Sequence, residues 1–169
     1  ARGRADATAM EMTKWFDTNY HYLAPEVSPE VEFRLAAAPK PLVELAEARE
    51  LGIATRPVLL GPVTFLLLGK AADGTSAGFD RLSLLDPLLE VYGELLDELA
   101  AAGAEWVQLD EPAFVQDRSP AELDALARAY DRLGRSSARP RLLVSSYFDH
   151  LGDASGSSPA PRSTASVST

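Results

Sequence analysis

Glu105-Trp-Val-Gln-Leu-Asp-Glu-Pro112 is the stretch that decides the fold. It reads as a short buried strand that stops at a proline, because Pro112 cannot continue a ladder and pushes its predecessor out of helical geometry. A broad apolar stripe precedes it: Leu84, Leu85, Leu88, Leu89, Val91, Tyr92, Leu95, Leu96 and Leu99 recur at helical spacing. Asp80 or Ser83 can start that helix and Gly103 ends it. Ser119-Pro-Ala-Glu122 follows the strand and predicts another helix, with a capping Ser, Pro in the first turn and Glu three residues after the cap. That helix runs to about Leu133, before Gly134, and Arg141-Leu-Leu-Val-Ser-Ser-Tyr-Phe148 predicts a further buried strand behind Pro140.

The same alternation extends upstream. Leu42, Val43, Leu45, Ala46 and Leu51 predict a helix over 40–51 closed by Gly52. Arg56-Pro-Val-Leu-Leu-Gly-Pro62 then predicts a strand of the kind buried on both faces of a parallel sheet. A short apolar helix over 63–69 and an exposed loop over 71–77 come next. At the beginning, Trp15-Phe-Asp-Thr-Asn-Tyr-His-Tyr-Leu23 reads as a strand ended by Ala24-Pro25. Residues 25–39 read as a proline-punctuated loop with room for one short strand at 31–35.

Helices alternating with strands imply a parallel sheet, so the fold class is α/β. Four strands in roughly 150 residues match half of an eight-stranded (β/α)8 barrel of the TIM type, for which about 250 residues are typical. A doubly wound sheet fits less well, since no Gly-rich phosphate loop follows the first strand. A half barrel leaves open strand edges, which predicts a product prone to association.

At 169 residues, 46% hydrophobic and 24% charged, the chain can bury one sizeable core. A formal net charge of −9 and a pI near 4.7 argue against nucleic acid as a partner, because such binding draws on clustered Lys and Arg. The absence of cysteine excludes a disulfide framework, a thiolate metal site and a cysteine nucleophile, and suits a cytoplasmic location. The apolar run at 57–68 is too short to span a bilayer, so no membrane association is expected. The first residue is not Met, so the sequence is expected to begin inside a longer protein. Residues 1–153 are read as one domain. Residues 154–169, rich in Ser, Pro and Ala, are read as a disordered tail.

The residues able to carry chemistry collect at strand ends. Asp110 and Glu111 fall at the C-terminal end of a strand, the edge that carries active sites in parallel barrels. Paired carboxylates there can hold a metal, orient a ligand amine or hydroxyl, or divide acid and base roles. Equally, one of them can cap the following loop or pair with an arginine. On a strand, Asp17, Asn19 and His21 share one face, which would point into a barrel mouth. The alternative for His21 is an interior histidine bonded to a neighbour. Lys14, beside Trp15-Phe16, can attract a carboxylate or phosphate, or simply be solvated. Leu60-Gly-Pro-Val-Thr64 would bring backbone close to a ligand, or serve packing alone.

Four ordered stretches carry a specific resemblance: Glu11-Met-Thr-Lys-Trp-Phe-Asp-Thr-Asn-Tyr-His-Tyr22, Arg56-Pro-Val-Leu-Leu-Gly-Pro-Val-Thr-Phe-Leu66, Phe79-Asp-Arg-Leu-Ser-Leu-Leu85 and Trp106-Val-Gln-Leu-Asp-Glu-Pro-Ala113. Over residues 10–153 the chain resembles the N-terminal domain of cobalamin-independent methionine synthase. That family transfers a methyl group from 5-methyltetrahydropteroyltriglutamate to homocysteine. The resemblance implies two facing barrels, with chemistry at a zinc held by His, Cys and Glu in the C-terminal one. It assigns Lys14 to the polyglutamate tail of the folate.

No catalytic or metal-binding residue and no cofactor is expected within this chain; zinc and homocysteine would engage only a domain beyond it. The family's other folate contacts lie in an Arg-Glu-Leu-Lys-like element absent here, so the chain alone should bind the triglutamylated donor weakly. The family would continue after Phe148-Asp149 with more barrel strands. The change of composition near Ala154 is therefore read as a truncated or frame-shifted gene, with a linker as the alternative. Two further readings remain: a non-catalytic remnant, and an independent barrel enzyme using Asp110 and Glu111.

Overall fold

A computed structural model of the chain describes residues 9–149 and the backbone of 165–168. The elements in chain order are β1 (Met12–Lys14), β2 (His21–Leu23), β3 (Glu26–Val27), α1 (Lys40–Glu50), β4 (Val58–Leu60), α2 (Pro62–Leu68), β5 (Lys70–Ala71), α3 (Leu85–Ala101), β6 (Trp106–Asp110), α4 (Pro120–Arg135), β7 (Arg141–Ser145) and β8 (Ala165–Ser168). Short 3₁₀ turns at Arg81–Leu84 and Pro112–Val115 lead into α3 and out of β6.

Local chemistry sets the helix ends. Gly52 (φ 72°) and Gly103 (φ 87°) follow the last turns of α1 and α3 in the left-handed region. Ile53 N–H then reaches back to Ala48 O, and Ala104 N–H to Leu99 O, each at 2.9 Å. This is the Schellman closure that a glycine at that position permits. α4 begins with the capping box expected from Ser119-Pro-Ala-Glu122: Glu122 N–H donates to Ser119 Oγ (3.3 Å), and Ser119 N–H donates to Glu122 Oε2 (2.7 Å).

β4, β6, β7 and β8 form one parallel sheet in that order. Val58 aligns with Gln108, Leu60 with Asp110, Trp106 with Arg141 and Asp110 with Ser145. The period of two puts Val107 and Leu109 on one face, and both are fully buried in a core shared with Val63 and Leu66 of α2, Leu96 and Leu99 of α3, and Ala129 and Leu133 of α4. Trp106, Gln108 and Asp110 lie on the other face and are only half-buried, with the Arg141 guanidinium 4.4 Å over the Trp106 ring. Helices therefore cover one face of the sheet. No closed barrel is present among the described residues.

Two expectations require correction. The N-terminal stretch is not a strand of the main sheet: β1 and β2 form an antiparallel hairpin, with Phe16 (φ 42°) and Asp17 (φ 46°) in the turn. Its Asp-Thr-Asn run is turn chemistry, and the Thr18 hydroxyl donates to Trp15 O. Secondly, residues 31–35 form no strand. The extra pairing is instead a short parallel bridge between β3 and β5, in which Glu26 aligns with Lys70 and Val27 with Ala71.

Within the stretch read as a tail, Ala165–Ser168 form β8, parallel to β7, with Leu142 opposite Ala165 and Ser145 opposite Ser168. An open strand edge offers backbone donors and acceptors that pair with a segment of almost any composition. Residues 1–8, 150–164 and Thr169 lie outside the described residues.

Candidate functional site

The C-terminal ends of β4, β6 and β7 converge on Gly61, Asp110-Glu111 and Ser145-Ser146. Gly61 N–H donates to Asp110 O (2.6 Å), and Glu111 N–H donates to Ser145 O (2.8 Å). Ser146 Oγ donates to Glu111 O (3.1 Å). The backbone at this edge is thus bonded across all three strands.

The two adjacent carboxylates have opposite fates. Glu111 is buried, and its carboxylate sits on the first turn of α2: Val63 N–H donates to Oε1 (3.3 Å) and Thr64 N–H donates to Oε2 (2.7 Å). These are orphan donors that a side chain at the N-cap normally satisfies, but the N-cap here is Gly61. A Cβ at Gly61 would overlap the Glu111 carboxyl group, so the glycine makes room for a cap delivered from another strand. The Tyr130 hydroxyl of α4 donates to Oε1 (2.9 Å). Burial pushes the Glu111 pKa up to about 7, against the opposing pull of hydrogen bonds from Thr64, Tyr130 and Val63. Glu111 also raises the pKa of Tyr130, after burial itself, and likewise of half-buried Tyr92 on α3, whose hydroxyl donates to Leu60 O (2.6 Å). The geometry is that of a cap, of α2 and not of the loop that follows β6: Glu111 ties β6 to α2 and α4.

Asp110 lies on the half-buried face. Gln108 Nε2 donates to its Oδ1 (2.7 Å), and Arg56 Nη2 donates to Gln108 Oε1 (2.8 Å), so the Gln108 amide orientation is set from both ends. Burial raises the Asp110 pKa, opposed by the Gln108 hydrogen bond and the Arg56 charge. Tyr147 stands beside it. Burial raises the Tyr147 phenol, the Asp110 charge adds to this, and a hydrogen bond with the Trp15 side chain opposes it.

Trp15 and Phe16 bring the β1–β2 hairpin to this edge. Trp15 packs edge-on against Phe16 (5.1 Å) and Tyr22 (5.6 Å), and Phe16 meets Phe148 at 6.0 Å. The Tyr22 hydroxyl donates to Leu68 O (3.1 Å), and Lys70 pairs with Glu11 at 2.5 Å, so the hairpin is pinned on its inner face. Lys14 and His21 lie opposite each other on the exposed face, and Lys14 forms no ion pair among the described residues. Asp17 and Asn19 occupy the exposed turn instead of sharing a strand face with His21.

Asp110, Glu111, Lys14 and the Gly61–Thr64 turn stand out in the sequence as candidates, whereas Tyr130, Tyr92 and Tyr147 do not. Tyr92 and Tyr130 sit within apolar helical stripes, where nothing in the spacing distinguishes a tyrosine with a buried hydroxyl partner from one that only packs. Gly61-Pro62 was the legible signal, and its explanation is the Glu111 carboxyl group.

A metal does not fit this arrangement. The chain has no cysteine, His21 is exposed on the hairpin, and no group of three His, Asp or Glu side chains able to hold a metal occurs among the described residues. Among the same residues no helix is long and apolar enough to cross a membrane.

Fold and site together define an α/β chain of parallel strands whose carboxy-terminal strand edge is backed by a buried carboxylate and flanked by a hairpin. Residues 1–157 match the family described as cobalamin-independent synthase, N-terminal domain, and the chain belongs to that family. It is 64% identical over 154 residues to a 5-methyltetrahydropteroyltriglutamate–homocysteine methyltransferase of Streptomyces coelicolor, covering 91% of this chain and 20% of that protein. Proteins of the same name from Catharanthus roseus and Parvibaculum lavamentivorans are 53% and 52% identical, over 88% and 90% of this chain and 19% and 20% of their own lengths. The chain thus spans about a fifth of the length of these relatives.

Proposed function

We propose that this chain supplies the folate-tail-holding part of a cobalamin-independent methionine synthase, which methylates homocysteine from 5-methyltetrahydropteroyltriglutamate in the cytoplasm. The observation that carries this reading is Lys14: an exposed ammonium without an ion pair among the described residues, on a hairpin pinned from its other face. An oligocarboxylate tail is its natural complement, and the attraction is modest because the site is wet. In this reading methyl transfer, which needs a zinc-activated thiolate, is done by a part of the protein beyond this chain.

We also propose that β4, β6 and β7 are a segment of the wall of a (β/α)8 barrel. Parallel order, helices on one face and a half-buried opposite face carrying Trp106, Gln108 and Asp110 are what such a segment has before the remaining strands enclose it.

Binding is tested by titrating the isotopically labelled chain with triglutamylated and monoglutamylated 5-methyltetrahydrofolate and following amide shifts. The expected affinity is weak, about millimolar, better for the triglutamyl form, and reduced about threefold to fivefold by Lys14→Ala. Equal affinity for the two forms, or indifference to Lys14→Ala, would refute it.

A further inference from the structure

His21 lies directly opposite Lys14 across the hairpin. Trp15 N–H donates to Tyr20 O (2.8 Å) and Ala24 N–H donates to Glu11 O (2.9 Å), so the pairs 15/20 and 11/24 are of the hydrogen-bonded type. Types alternate along an antiparallel ladder, which makes 13/22 hydrogen-bonded and 14/21 non-hydrogen-bonded. Side chains approach most closely in a non-hydrogen-bonded pair, with Cβ atoms about 4.5–5.5 Å apart and on the same side. Lys14 and His21 are therefore close cross-strand neighbours on the outer face of the hairpin, as Met12 and Leu23 are beside them.

Among the described residues the paired strand positions of that face carry no carboxylate, and exposed Asp17 lies beyond them in the turn. The other members of the face are Met12, opposite Leu23, and these are 66% and 42% exposed. Glu11 pairs with Lys70. Two nitrogen donors beside two exposed apolar side chains, in a chain of net charge −9, form a local exception to the acidic surface.

We propose that Lys14 and His21 act as a two-point clamp for a γ-linked oligoglutamate, the ammonium and an imidazole N–H holding carboxylates while Met12 and Leu23 take the methylene spacers. The alternation of charge and two-carbon apolar spacer in a γ-glutamyl chain matches this face. A single phosphate or a free amino acid uses only its polar half. The inference rests on the folate-tail reading of Lys14 and adds a residue and a ligand register to it.

The test uses the whole chain and two probes, γ-linked triglutamate and free glutamate, titrated by NMR at low salt against wild type, Lys14→Ala, His21→Ala, the double variant and His21→Lys. Circular dichroism confirms that each variant is folded. His21→Ala should weaken triglutamate about threefold to tenfold and free glutamate much less, and His21→Lys should restore binding. The double variant should lose less than the product of the two single losses, as for groups sharing one ligand. If Lys14→Ala weakens triglutamate and His21→Ala does not, the clamp is refuted and the folate-tail reading stands. Equal weakening of both probes by His21→Ala also refutes the clamp. If wild type does not distinguish triglutamate from glutamate, the folate-tail reading fails and the clamp with it.

Discussion

Glu111 makes the fold sensitive to pH in an unusual direction. Its carboxylate is fully enclosed, and burial lifts its pKa to about 7 from 4.5. A carboxyl group whose native pKa lies above its unfolded one binds its proton more tightly in the native state, so protonation favours folding. The stabilisation is fully present below pH 4.5, declines as pH rises, and is lost above about pH 7. The gap between the two values corresponds to about 3 kcal/mol, an order-of-magnitude figure.

Glu111→Gln keeps an acceptor for the Thr64 N–H and an amide N–H that can donate to the Tyr130 oxygen, but it does not titrate. Urea unfolding followed by the fluorescence of Trp15 and Trp106 from pH 4 to 8 gives the stability of both proteins. Their difference isolates Glu111 from groups of opposite sign, such as Glu122. There burial raises the pKa, but hydrogen bonds from Ser119 outweigh it and leave it lowered. The expected outcome is near-equal stability at pH 4 and an advantage to Glu111→Gln that grows to as much as about 3 kcal/mol by pH 8. A difference that stays constant with pH, or that moves in favour of wild type as pH rises, refutes the reasoning.

Three other substitutions probe the same architecture. Gly61→Ala places a methyl group on the Glu111 carboxyl and should cost about 1–3 kcal/mol in urea unfolding; a neutral result would mean that the cap moves freely. Tyr130→Phe removes the hydrogen bond that holds the Glu111 pKa down, so that pKa should rise further and stability should fall by about 1 kcal/mol, as read from carboxyl chemical shifts and denaturation. Ser119→Ala breaks the capping box of α4 and should cost about 1 kcal/mol, with faster amide exchange confined to the first turn of that helix.

The helices and the three parallel strands were legible because their signals are local. Leu84–Leu99 spacing, Ser119-Pro-Ala-Glu122, Gly52 and Gly103 each fix an element without reference to the rest of the chain. The N-terminal hairpin was not. Trp15-Phe16 and His21-Tyr22-Leu23 have strong strand propensity, and a continuous strand competed with the Asp17-Thr-Asn19 turn signal, which the left-handed backbone at Phe16 and Asp17 resolves. The β3–β5 bridge was illegible because two-residue strands have no periodicity. At the site, the Asp-Glu pair was visible as a pair, but its division of labour was not. Which carboxylate is buried depends on the side-chain alternation beyond the end of β6 and on an empty Cβ position at Gly61, 50 residues upstream.

The account holds that this chain grips the donor's tail and that methyl transfer is done elsewhere in the protein. Methionine formation tests this most directly, assayed with the purified chain, zinc, homocysteine and triglutamylated 5-methyltetrahydrofolate, alone and with the remainder of the Streptomyces coelicolor relative supplied as a separate polypeptide. The predicted result is no product from the chain alone, and product from the pair that falls with Lys14→Ala. Methionine made by the chain alone, or activity of the pair indifferent to Lys14→Ala, would contradict it.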